Sequence, residues 1–273
     1  MKIENLKFKI LPKKSLGQNF LRNPKILDRI LDAGEVNADD IVLEVGPGEG
    51  TLTRKLSEKA KKVIAIEKDR RVIEPLKEEF KNRNIEIIEA DVLKFDAKID
   101  ELKDNDYKIV ANIPYYITSN LLRTIFEKWP RPKLIVLTIQ KEVAQRIVAK
   151  PPQMSLLSLS IQFYADAKII DYISAGSFYP KPKVDSAIIK LVPKKETPDE
   201  TTRELFFKLI KAGFSEKRKQ LVNNLSRKLD IDKNLVIKIF VELGIKEDAR
   251  AETVDFQLWL SMARALLAKV VVV

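Results

Sequence analysis

Ile41-Val42-Leu43-Glu44-Val45-Gly46-Pro47-Gly48-Glu49-Gly50-Thr51-Leu52 joins a short apolar run to three glycines set two apart, and then to a helical pattern. The run Ile41 to Val45 predicts a strand, and Leu52 with Leu56 predicts a helix that starts near Thr51. Glycines let the backbone turn sharply and let a ligand approach the peptide groups directly, so this turn is a candidate cofactor loop. Strand-to-helix turns also use glycine for conformation alone, and the pattern needs a second signal. Glu67 supplies one: it stands 21 residues beyond Gly46, at the end of the next apolar run, where a Rossmann-like fold hydrogen-bonds a ribose diol.

Outward from that turn the same alternation repeats. Val63–Ile66, Ile85–Ile88, Lys108–Ala111 and Leu134–Ile139 read as strands. Val72/Ile73/Leu76/Phe80, Leu121/Leu122/Ile125/Phe126 and Val143/Ile147 read as the helices between them. Upstream, Asn23-Pro24 followed by Ile26, Leu27, Ile30 and Leu31, and then Gly34, marks a capped helix before the first strand. Strands alternating with helices predict a mostly parallel sheet covered on both faces. Lys168–Ile173 and Ala187–Val192 have no helix between them and predict a closing antiparallel hairpin. After Pro198 only helical periodicity remains, at 205–214, 219–229, 235–243 and 256–267. The expected organisation is an α/β domain over residues 1–195 with a basic N-terminal arm, and an all-helical domain over 196–273.

Composition limits the chemistry. The 273 residues include no cysteine and no histidine, which removes disulfides, thiolate nucleophiles and the usual neutral-pH base and metal ligand. Carboxylates, amides, tyrosines, lysines and the backbone remain, together with any cofactor that brings its own reactivity. No metal site is expected. Residues 1–20 lack a continuous apolar core, so no signal peptide or membrane span is read there and a cytoplasmic protein is expected. Net charge is +11 and unevenly spread: residues 1–25 hold seven Lys/Arg against one acid, 128–195 hold twelve against four, and 26–127 hold 17 against 22. That asymmetry predicts a one-sided surface for a polyanion.

Asn112-Ile113-Pro114-Tyr115 follows the fourth predicted strand of the alternating series and so falls at the carboxyl edge where open α/β sheets bind ligands. The exocyclic amine of adenine is a poor nucleophile because its lone pair is delocalised into the ring. Two acceptors on its hydrogens would draw that pair out: the Asn112 side-chain oxygen and the Ile113 carbonyl. Pro114 holds Ile113 extended and adds no competing N–H, and Tyr115 offers a ring on which a flipped base can stack. Asp91, at the end of the third strand, could accept from an adenine amino group, or could simply be a turn aspartate. Phe178 lies in the stiff loop Phe178-Tyr179-Pro180-Lys181-Pro182-Lys183-Val184-Asp185-Ser186 and could present a second aromatic face, although a core Phe in a rigid connection is the simpler expectation.

These residues, with Lys14-Ser15-Leu16-Gly17-Gln18-Asn19-Phe20-Leu21, Phe214-Ser215-Glu216-Lys217-Arg218-Lys219-Gln220-Leu221 and Asn223-Asn224-Leu225, carry a close resemblance over nearly the whole chain. The sequence resembles the ribosomal RNA adenine dimethyltransferases that modify two adjacent adenosines near the 3′ end of small-subunit RNA. The resemblance implies a class I methyltransferase sheet, S-adenosyl-L-methionine as cofactor and a small-subunit ribosomal particle as partner, with the enzyme a monomer by default. Asn19 and Leu21 would border the cofactor site, Gly46 and Gly48 would approach its methionyl part, Glu67 would take the ribose hydroxyls and Asp91 the adenine. Asn112 would lie between cofactor and target, and Tyr115 and Phe178 would sandwich the base. Lys13, Lys14, Lys181, Lys183, Lys217, Arg218 and Lys219 would engage the RNA backbone. Ile113 and Tyr116 depart from the commoner bacterial form of the motif and point toward an archaeal or eukaryotic-like member.

Three rivals stay open on the sequence. A relative that methylates large-subunit RNA would share every residue of the site, and the 214–225 segment argues against it. A catalytically silent binding or assembly factor is disfavoured by the intact Asn112, Pro114 and Tyr115. A nicotinamide oxidoreductase is disfavoured by the Gly-x-Gly-x-Gly spacing, which is not the dinucleotide fingerprint.

Overall fold

The computed structural model describes residues 11–97 and 102–270. The first ten residues of the basic arm and the last three valines therefore lie outside the described residues. Strand β1 (Phe20–Leu21) precedes α1 (Pro24–Ala33), β2 (Ile41–Val45), α2 (Thr51–Lys59), β3 (Lys62–Glu67), α3 (Arg70–Glu79) and β4 (Ile85–Glu89). There follow β5 (Tyr107–Asn112), α4 (Thr118–Glu127), β6 (Leu134–Gln140), α5 (Lys141–Ile147), α6 (Leu156–Tyr164), β7 (Ala165–Ile173), β8 (Phe178–Tyr179) and β9 (Ser186–Pro193). The chain ends in α7 (Glu200–Gly213), α8 (Leu221–Leu229), α9 (Lys233–Glu242) and α10 (Phe256–Val270).

Seven strands form one sheet in the order β4-β3-β2-β5-β6-β9-β7. The first five pair in parallel, with Val42 opposite Val63 and Lys108, and β9 runs antiparallel to β6 with Gln140 opposite Ser186. Val42, Leu43, Glu44 and Val45 are all buried. Successive strand side chains point to opposite faces, so an uninterrupted buried run means that both faces are covered. Leu27, Ile30, Leu52 and Leu56 from α1 and α2 pack with Val42, Val63, Val110 and Val136 from the strands. The Asn23 side chain accepts from the Lys25 amide at 3.1 Å and caps α1, as its Asn-Pro start predicts.

Strand order reverses between β2 and β5: the chain steps outward through β3 and β4, then returns to the other side of β2. Loops after these two neighbours diverge and leave a crevice at the carboxyl edge. Gly46 follows β2 and Asn112 ends β5. The reversal therefore brings the two strongest sequence signals to one place.

The chain divides into two compact units, and the division differs from a single boundary at 195/196. One unit comprises the chain up to Ala144 with Ala167–Pro193; the other comprises Gln145–Asp166 with Lys194 onward. Helix α6 accounts for the difference. Met154, Leu159 and Phe163 belong to the same apolar core as Phe206, Leu209, Phe240 and Trp259, and the Met154 amide donates to the Glu252 carbonyl at 3.0 Å.

Candidate functional site

A cavity at the reversal point is lined by residues 16–21, Val45 to Gly48, Glu67, Asp91 and Asn112 to Ile117. Its floor is the glycine loop. Gly46 has φ +70° and Gly48 φ +55°, in the left-handed region that side chains disfavour. A Cβ on Gly46 would meet nothing closer than Pro114 Cδ at 3.8 Å, so this peptide faces open space. A Cβ on Gly48 would lie 2.9 Å from Phe20 Cε1. Gly48→Ala should strain the backbone by about 1–2 kcal/mol and push the loop away from this shape. Because binding must restore that shape, affinity for S-adenosylmethionine should fall about 5- to 30-fold, as read by calorimetry; unchanged affinity would mean that the loop does not touch the cofactor.

Glu67 is held by three backbone donors: Lys68 N at 2.8 Å, Asp69 N at 2.7 Å and Gly48 N at 3.3 Å. Burial raises its pKa, and those three amides work against the rise. A carboxylate has about four lone-pair sites, so a fixed Glu67 can still accept from vicinal hydroxyls. Asp91 accepts from Lys68 Nζ at 2.8 Å and from the Leu93 amide at 3.1 Å, and the Lys68 contact holds its pKa below the usual range. Open peptide groups, a preorganised diol acceptor and an acidic group for an amino hydrogen fit the methionyl, ribose and adenine parts of S-adenosylmethionine in turn.

Asn112 ends β5 with its Nδ2 donating to the Asn19 carbonyl at 3.2 Å. Since an amide carries its oxygen opposite its nitrogen, this bond turns Oδ1 away from Asn19 as a committed acceptor. The Asn19 carboxamide in turn donates to the Gly17 carbonyl at 3.1 Å, and Leu21 is buried against the cavity. Pro114 has φ −59° and ψ 132°, and Tyr115 opens a 3-10 turn. The Tyr115 hydroxyl lies 2.6 Å from Ser186 Oγ at the start of β9. Its ring is half-buried, and burial raises its pKa, so the ring is the neutral phenol.

Phe178 is not an open face for a base in this structure. It is 5% exposed and packs with Leu21, Ile26 and Ile173 in the core of the sheet unit, and it does not line the cavity. Strand alternation is the cause: β8 pairs with β1, Leu21 opposite Phe178 and Phe20 opposite Tyr179, so Phe178 turns inward and Tyr179 outward. Lys13, Lys181 and Lys183 are exposed on the sheet unit, and Lys14 opens a short 3-10 turn. Lys217, Arg218 and Lys219 are exposed in the α7–α8 connection of the helical unit. Asn224 fixes that connection, donating to Gly213 O at 2.7 Å and Glu216 O at 3.1 Å. No group of residues able to hold a metal ion occurs among the described residues.

Two residues that support the site carry no role in the sequence alone. Ser186 anchors Tyr115 through a contact 71 residues distant. Glu44, fully buried beneath the glycine loop, has an Oε2 without a hydrogen-bond partner. Burial pushes its pKa up to about 8, and the nearby Glu67 carboxylate adds to the rise. The signal was available: a glutamate inside a strand covered on both faces has no exposed side to take.

Comparison with known proteins identifies the family. Residues 10–267 match the family model for ribosomal RNA adenine dimethylase. Ribosomal RNA small subunit methyltransferase A of Dehalococcoides mccartyi (strain CBDB1) is 43% identical over 249 residues, spanning 90% of this chain and 86% of the relative. A solved dimethyladenosine transferase from Plasmodium falciparum gives a TM-score of 0.77 at 31% identity, covering 91% of this chain and 96% of its own. A solved 23S rRNA methyltransferase, ErmE, gives 0.77 at 28% identity, covering 91% and 99%. Identity is higher to the bacterial relative than to the Plasmodium protein, which gives no support to the archaeal or eukaryotic affinity expected from Ile113 and Tyr116. The fold is the Rossmann-like class I methyltransferase fold. Because the family match runs through the sheet, the cavity and nearly all of the helical unit, this chain belongs to the ribosomal RNA adenine dimethylases, enzymes that use S-adenosylmethionine to methylate adenine in ribosomal RNA.

Proposed function

We propose that the substrate is the small ribosomal subunit or its precursor, and that the enzyme, acting as a monomer, places two methyl groups on N6 of each of two adjacent adenosines near the 3′ end of its RNA. Such a substrate would put the enzyme's work in the cytoplasm. The observation that carries the catalytic reading is the Asn112–Asn19 hydrogen bond, which leaves Asn112 Oδ1 as an acceptor at the end of β5 beside the cavity. One hydrogen of the target amine bonds to Oδ1 and the other to the Ile113 carbonyl. With both hydrogens held, the nitrogen lone pair leaves conjugation with the ring and points toward the cofactor side. The cofactor supplies an electrophilic methyl group on a sulfonium, a leaving group that needs no protonation. The proton lost from N6 goes to solvent, so the absence of histidine costs nothing. After the first transfer one N–H remains, and rotation of the amine returns it to an acceptor for the second.

Support for the small subunit is the 43% identity to a relative named for that substrate, against 28% to the large-subunit enzyme. The TM-score of 0.77 to the 23S rRNA methyltransferase means that the fold by itself does not select the subunit. The test is initial methylation rates on purified small and large subunits that lack their adenine methyl groups. Transfer to small subunits alone supports the proposal; transfer to large subunits alone overturns it and leaves the family chemistry standing.

A further inference from the structure

The two-stranded ribbon β1–β8 places an exposed tyrosine where the mechanism has no use for it. Residues directly opposite each other in an antiparallel pair share a face. Tyr179 therefore shares a face with Phe20, and Phe178 shares one with Leu21. Phe20 and Leu21 both line the cavity, so the ribbon that carries Tyr179 borders it, while Phe178 and Leu21 also belong to the sheet core. Tyr179 is 51% exposed. The Arg22 guanidinium carbon lies 4.8 Å from its ring centroid. Arg22 is itself fixed by Glu49, which accepts from Nε at 2.9 Å and from Nη2 at 2.5 Å and is 1% exposed. Glu49 belongs to the glycine loop, next to Gly48. An exposed aromatic ring is thus braced, through a cation and a buried carboxylate, on the loop that forms the cavity floor.

We propose that Tyr179, backed by Arg22, is a stacking platform for an unpaired base of the ribosomal RNA beside the target adenine. A tyrosine ring with a planar guanidinium against it is the surface that unstacked bases use, and every base has a π-face to offer. The setting favours a polyanion: Lys181 and Lys183, both exposed, follow within four residues, and Glu49 takes Nε and Nη2 of Arg22 while Nη1 remains on the side away from that chelate. The core position of Phe178 and the outward position of Tyr179 then have one cause, the two-residue alternation of β8. Bracing matters because a ring already ordered loses less freedom when a base stacks on it.

This inference rests on the family's action on ribosomal RNA and not on which subunit is the target. The experiment uses the full chain with unmethylated small and large subunits tested separately, and the subunit that the wild type methylates serves as the probe. Tyr179→Ala is expected to raise KM for that probe about 5- to 150-fold, the usual worth of one stacked base, with kcat and affinity for S-adenosylmethionine unchanged. Tyr179→Phe keeps the ring and is expected to retain most of the affinity. An unchanged KM in Tyr179→Ala overturns the proposal, as does an equal loss in Tyr179→Phe or a loss confined to cofactor binding. Which subunit the wild type accepts decides the substrate proposal independently of these ratios.

Discussion

Replacing Asn112 with alanine should lower methyl transfer by at least about 100- to 1,000-fold at saturating cofactor and RNA, the usual effect of deleting one preorganised group aimed at developing charge. RNA binding should persist, because the exposed basic residues lie elsewhere on the chain. Asn112→Asp separates an acceptor from a correctly oriented one. It keeps an oxygen toward the amine but puts a second oxygen against the Asn19 carbonyl, where Asn112 now donates at 3.2 Å. Two acceptors facing each other repel, so the aspartate variant should also fail at the chemical step. Single-turnover transfer of labelled methyl groups checks both; an aspartate variant with wild-type turnover would show that orientation by Asn19 is unimportant.

Stability should fall as pH rises from about 5 to 8, and Glu44→Gln should remove much of that fall. Glu44 ionises near its usual 4.5 in the unfolded chain, but only at about 8 in the folded protein, chiefly because it is buried. Between those values the folded state holds a proton that the unfolded state has released. Its contribution is fully present below 4.5 and drains away as pH climbs to about 8. The slope for one such proton is about 1.4 kcal/mol per pH unit. Glu67, also raised, adds to the fall with the same sign. Asp69, lowered to about 2, loses its contribution only in acid and stays outside this window. Glutamine keeps the shape without the charge, so Glu44→Gln should match the wild type near pH 5 and exceed it by a few kcal/mol near pH 9 in urea denaturation. Parallel curves for the two proteins would mean that Glu44 does not carry this buried proton.

Much of this fold lies open in the sequence because its main signals are local. The apolar run before Gly46, the 21-residue step to Glu67 and the Asn23-Pro24 start need only backbone preference and periodicity, and the structure places them in β2, β3 and α1. What stayed hidden depends on partners far along the chain. Helix α6 runs Leu157-Ser158-Leu159-Ser160-Ile161-Gln162-Phe163, a two-residue alternation that resembles a strand; Ser155 and Ser158 close a capping box that makes it a helix, and the second core claims its buried side. Strands of two residues have no readable period, so the β1–β8 pairing that buries Phe178 and exposes Tyr179 is a tertiary fact. Ser186 gave no sign of meeting Tyr115, since a serine at a strand start is ordinary until the register of β9 against β6 is known.

The most direct test of the central claim is the product itself. Unmethylated small subunits would be incubated with enzyme and labelled S-adenosylmethionine, the RNA digested with nuclease, and the labelled fragments and nucleosides identified by mass spectrometry. The expected product is N6,N6-dimethyladenosine at two adjacent positions near the 3′ end, abolished by Asn112→Ala. Label on any other base or atom, or dimethyladenosine formed undiminished by the Asn112 variant, would contradict it.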